Sequence, residues 1–154
     1  MLIAIDPGTT ESAFVIMDGD RVKDKGIVRN PAMLDVLQAW SGIAEHAAIE
    51  MIASYGMPVG REVFETCVWI GRFIERFDGP HTLVYRKDVK MNLCGTPRAK
   101  DGNIRQVLLD RYGPGKEAAI GRKAAPGPLY GFKSHLWAAL AVGCTWYDQQ
   151  NKEQ

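Results

Sequence analysis

The stretch MLIAIDPGTTESAFVIMDGD, residues 1–20, decides the fold. Residues 2–5 are apolar and end abruptly at Asp6. Pro7, Gly8, Thr9 and Thr10 are turn residues, and residues 12–18 begin a second apolar run. Asp18-Gly19-Asp20 is a hairpin signal. Residues 21–28 alternate as a third, more exposed strand. The reading is a meander of three antiparallel strands. It places a carboxylate at the inner end of a buried strand, where desolvation penalises its charge.

Outward from that stretch, Asn30-Pro31 opens a helix, with Asn30 as its expected cap and Pro31 in its first turn. Met33, Leu34, Leu37 and Trp40 keep helical spacing, and Gly42 ends it. Residues 46–52 fit a fourth strand. Residues 60–77 form a long amphipathic helix, and residues 81–86 a fifth strand. Residues 87–102 are polar, basic and turn-rich, and 103–112 are helical. Residues 113–131 are rich in Gly and Pro and read as a mobile loop, and 133–148 form the last helix. The expected class is α/β, one domain over residues 1–154. Its five-stranded mixed sheet has three antiparallel strands, then two parallel, flanked by helices.

With 154 residues, 46% of them apolar, and a formal net charge of +1, the chain suits one folded domain and argues against disorder. Cys67, Cys94 and Cys144 are odd in number and share no CxxC spacing, which predicts reduced thiols and no zinc site. No basic leader precedes the first strand, and no apolar run reaches the ~20 residues of a membrane span. A cytoplasmic protein without a membrane partner is the expectation.

Glu50 lies in the apolar context AAIEMI near the end of the fourth strand. If the first and fourth strands pair, Asp6 and Glu50 stand side by side. Two close carboxylates repel and call for a counter-charge, and Mg²⁺ favours oxygen ligands. Such a pair can run phosphoryl chemistry. The plainer readings are a turn in which Asp6 caps backbone, and an edge position for Glu50. Taken together on this element order, the metal reading is favoured.

Asp6-Pro7-Gly8-Thr9-Thr10 also resembles the phosphate hairpin of the actin and sugar-kinase superfamily. That fold takes two domains and more than twice this length, and its second phosphate loop and adenosine motif are absent. No nucleotide cofactor is expected. The order of IDPGTTESAFVIMD, AAIEMI, the basic stretch 84–113 and SHLWAALAVG resembles instead the RuvC-like Holliday junction resolvases of the ribonuclease H superfamily, most of all short phage or prophage members. The resemblance spans nearly the whole chain. It implies a homodimer that binds four-way DNA junctions and nicks them with Mg²⁺ or Mn²⁺. It places metal ligands at Asp6 and Glu50, with His135 as a third ligand or as general acid or base.

The resemblance breaks at one position. The last helix reads Ala138-Ala139-Leu140-Ala141, and Ala138 stands where the family carries a carboxylate. Asp148 is ten residues further on, ~15 Å along a helix axis, and cannot replace it from there. Two histories fit: an Asp→Ala change made to hold substrate uncut, or a natural non-cleaving module that binds branched DNA. The loss of one carboxylate beside intact Asp6, Glu50 and His135 favours the first. Either way cleavage is expected to be impaired.

Ten Lys and Arg fall between Arg86 and Lys123 against four acids, so the near-neutral total hides a basic segment. Lys87, Lys90, Arg98, Lys100, Arg105, Lys116, Arg122 and Lys123 are the candidate phosphate contacts. Arg98 and Lys100 adjoin a helix N-terminus, which itself suits phosphate. Tyr55, and Met57 near it, are candidates to wedge against unstacked bases, or equally to pack at a dimer interface. The helix 60–77, apolar on more than one face, is the expected dimer contact.

Overall fold

The computed structural model describes residues 1–154. Its main sheet contains β1 (Leu2–Asp6), β2 (Glu11–Asp18), β3 (Arg21–Arg29), β4 (His46–Met51) and β5 (His81–Tyr85) in the order β3-β2-β1-β4-β5. The first three strands are antiparallel, and β4 and β5 run parallel to β1. The expected mixed sheet is therefore present.

Alternation along the strands divides the sheet into two faces. Ile3, Ile5, Phe14, Ile16, Ala47 and Ile49 point to one side. There they pack under α1 (Asn30–Trp40) and α2 (Arg61–Arg76) through Met33, Leu37, Ile70 and Phe73. Leu2, Ala4, Val15, Met17 and Ala48 point to the other, against α6 (Leu136–Glu153). The even-numbered row of β1 ends in Asp6, and that of β4 ends in Glu50. Because Ala4 registers with Ala48, the two carboxylates are neighbours on the α6 face. Helix α6 lies close to the sheet because Gly143 has no side chain. A Cβ there would strike Met17 Sδ and stand 3.1 Å from the Ala4 methyl.

The turn after Asp6 is closed without Asp6. Ser12 Oγ donates to Asn30 Oδ1 at 2.6 Å, Asn30 Nδ2 donates to the Gly8 carbonyl at 2.9 Å, and Gly8 N–H donates to Ser12 Oγ at 3.0 Å. Asn30 is fully buried, so it is not the expected helix cap. Arg29 holds that position, and the Asn30 side chain is spent on the β1–β2 turn. Asn30→Ala leaves the buried Ser12 hydroxyl without its acceptor and the Gly8 carbonyl without its side-chain donor. We expect it to lower unfolding free energy by about 2–3 kcal/mol in a urea titration.

Four further expectations are corrected. Residues 86–94 are a helix, α3 (Arg86–Cys94), where polarity suggested turns. Val89 and Leu93, four apart, supply its inner face with Cys94, and Gly95 ends it in the left-handed conformation at φ 75°. Residues 113–131 carry structure: α5 (Lys116–Ile120) and a small hairpin of β6 (Gly121–Arg122) and β7 (Ala125–Pro126). Ala119 and Leu129, both fully buried, anchor that segment to the core. The last helix begins at Leu136, three residues later than expected, and runs on to Glu153. Helix α4 (Asp101–Tyr112) starts two residues before its expected bound. No helix is long and apolar enough to cross a membrane.

Candidate active site

The C-terminal ends of β1, β4 and β5 lie side by side, the edge where open parallel sheets present ligand sites. Asp6 closes β1 and is 7% exposed. Its Oδ2 accepts a hydrogen bond from His135 Nδ1 at 2.8 Å. His135 lies on the residue preceding α6, after Ser134, whose φ of 50° is rare for a residue with a side chain. That local backbone turns the imidazole back toward β1. With Nδ1–H given to Asp6, Nε2 of a neutral ring is left as an acceptor facing the cavity. Ala138, half-buried, faces the same cavity with only a methyl group.

Glu50 Oε1 is wholly buried and accepts no hydrogen bond. Arg86 Nη1 lies 3.6 Å from it, likewise buried and unbonded. The other end of the same guanidinium, Nη2, donates to Asp101 Oδ1. Arg86 follows β5 directly and Asp101 opens α4. Asp6, Glu50, Asp101, Arg86 and His135 line one cavity of about 360 Å³ with Ala138 at its wall.

Burial holds both inner acids above their ordinary range. The Glu50 carboxyl is pushed up to about 8, first by burial and then by Asp6 beside it, with Arg86 opposing. Asp6 is raised by burial, with Glu50 and Arg86 opposing and Asp101 adding to the rise. The cluster is short of positive charge.

No three His, Cys, Asp or Glu side chains converge tightly enough here to hold an ion. The donor set still fits a hard divalent cation. It offers carboxylate oxygens, one of them buried without a partner, in a place now served by one guanidinium.

No family model matches the chain, and no curated protein matches it. Among solved structures, one of Thermus thermophilus RuvC superposes with a TM-score of 0.65 at 19% identity, covering 97% of this chain and 96% of that one. A structure of T. thermophilus RuvC in complex with a Holliday junction substrate superposes at 0.64 and 18% identity, covering 97% and 94%. This chain has the RuvC fold.

On the RuvC fold of this chain, the sequence-predicted residues divide into two groups. Tyr55 is 66% exposed, has φ 49°, and lines both the carboxylate cavity and an adjoining one shared with Arg86, Lys87 and Lys90. Arg105 lies 4.8 Å from the Trp137 ring and lines a second cavity, of about 430 Å³, beside Asp101, His135 and Ala138. Arg98 and Lys100 are exposed on the segment between α3 and α4, where Lys100 N–H donates to Asn103 Oδ1 at the start of α4. Lys116, Arg122 and Lys123 are exposed on α5 and its hairpin and line none of the cavities that hold the acids.

Sequence reasoning missed Arg86 and Asp101 as site residues. Arg86 was legible in part: it follows the strand that pairs with β4, one step beyond the Met51–Tyr85 register pair. Asp101 had no local signal, since an acid in a basic, polar segment reads as solvated.

Proposed function

We propose that this chain is a Mg²⁺- or Mn²⁺-dependent, structure-selective endonuclease acting on branched DNA such as four-way junctions. The observation that carries the reading is the pair Asp6 and Glu50, buried together at the sheet edge and joined by His135, on a fold shared with RuvC. The T. thermophilus RuvC structure with a Holliday junction substrate supports the choice of DNA.

Asp6 and Glu50 would hold the cation, with His135 beside them. When bound, such an ion activates water and neutralises the leaving oxygen of a phosphodiester. The chain's own residues do the rest. His135, fixed by Asp6, offers Nε2 to take or return a proton near the scissile phosphate. Arg105, which shares a cavity with Asp101, and Lys87 and Lys90 in the adjoining cavity beside Arg86 would hold the DNA backbone, while Arg98 and Lys100, with Lys116, Arg122 and Lys123, would extend the contact. Tyr55 stands exposed at the cavity rim, in reach of an unstacked base.

Phe64 and Val68, 63% and 64% exposed and one turn apart on α2, are the surface we assign to a homodimer contact. They lie on the sheet face opposite the acids.

A second reading, a non-cleaving module that binds branched DNA, is favoured by one observation: the Ala138 methyl where a carboxylate would face the cavity. Nicking of a labelled four-way junction in Mg²⁺ separates the two. We expect the native chain to nick slowly and Ala138→Asp to raise the rate by about ten-fold or more. Binding without cutting by both forms leaves only the second reading. Equal affinity for branched and linear duplex removes both.

A further inference from the structure

Resting on the nuclease reading above, we propose that Asp101, from the first turn of α4, supplies the third carboxylate of the metal-binding cluster, in place of the acid that α6 lacks at Ala138.

Three observations carry this. First, Asp101 shares the carboxylate cavity with Asp6, Glu50 and His135, and shares the neighbouring cavity with Ala138. The space left open by the small side chain of α6 is the space that Asp101 borders. Second, one guanidinium touches both Glu50 and Asp101. The two carboxylates therefore flank one guanidinium, Glu50 Oε1 lying 3.6 Å from Nη1 and Asp101 Oδ1 bonded to Nη2, so a cation already sits between them. Glu50 and Asp101 would hold a divalent ion in that region once Asp101 turned from Arg86, and the Arg86 guanidinium would then be available to a phosphate. Third, the environment is ready for an ion: Glu50 Oε1 is buried with no hydrogen-bond partner. The Asp101 side chain is 87% exposed, so it is free to turn from Arg86 toward an ion without disturbing packing.

The consequence is a ligand set spread over β1, β4 and α4, with α6 contributing His135 at its start. Ala138 then does not by itself abolish cutting.

The test is Mn²⁺ titration by calorimetry on the full chain, for the native protein, Asp101→Asn, Ala138→Asp and the double variant. Circular dichroism checks that each is folded. We expect Asp101→Asn to weaken Mn²⁺ binding at least ten-fold, and Ala138→Asp in that background to restore it to within three-fold. Loss of less than three-fold in Asp101→Asn overturns the proposal. If the native chain binds no Mn²⁺ while Ala138→Asp does, Asp101 is not the third ligand, and the nuclease reading survives. If neither binds Mn²⁺, the metal-dependent reading itself falls.

Discussion

Asp6→Asn will cut junction nicking by on the order of 10³-fold while leaving junction binding within about three-fold. The exchange is nearly isosteric, and an Asn oxygen still accepts from His135, so the turn and the imidazole stay in place. What is lost is the charge of the most buried acid in the cluster. Binding survives because it rests on Lys and Arg side chains around the cavity, and removing a negative charge does not weaken their hold on phosphate. Nicking should be measured both in the native chain and beside Ala138→Asp, with affinity from a gel shift at fixed salt. Nicking within ten-fold of the parent in both backgrounds would show that Asp6 is a structural acid.

The second large effect runs toward stability. Glu50→Gln should raise unfolding free energy by about 5 kcal/mol at pH 9, and by little at pH 4, with EDTA present. Burial is the main cause, with Asp6 adding to it, and together they lift the Glu50 carboxyl from 4.5 to about 8 in the folded chain. Between those values the folded state keeps a proton that the unfolded state releases. That contribution is complete below about pH 4.5 and is lost as pH rises through 8. The native chain should therefore weaken across this window, and Gln, which cannot ionise, should not. Asp6 is raised too and moves stability in the same direction. Urea titrations at several pH values read the difference. A constant gap between the two proteins from pH 4 to 9 would rule out titration as its source.

Both effects come from acids placed by strand alternation, and that part of the molecule was readable from the chain. Leu2, Ala4 and Asp6 share a face by a period of two, as do Ala48 and Glu50, so pairing β1 with β4 brought the carboxylates together. The Asn30 contact was less readable: a cap and a turn clasp use the same residue type next to the same proline, and only burial tells them apart. Helix α3 was hidden by its charges, because only Val89, Leu93 and the terminal Cys94 make its inward face. Arg86 and Asp101 were hidden for a deeper reason. Their meeting depends on how α3 and α4 return to the sheet edge, and no local pattern encodes the arrival of an exposed acid beside a buried one. The empty place at Ala138 was visible only through resemblance, since an alanine in an apolar helix is otherwise unremarkable.

The sheet also sets limits on how such a protein can change. Its two apolar cores touch through strand backbones, and no side chain belongs to both. Substitutions under α1 and α2 leave the acid-bearing face untouched. Changes around His135 and Ala138 leave the far face untouched in the same way. The two faces can therefore drift at separate rates within one small chain, each constrained by its own side of a shared wall.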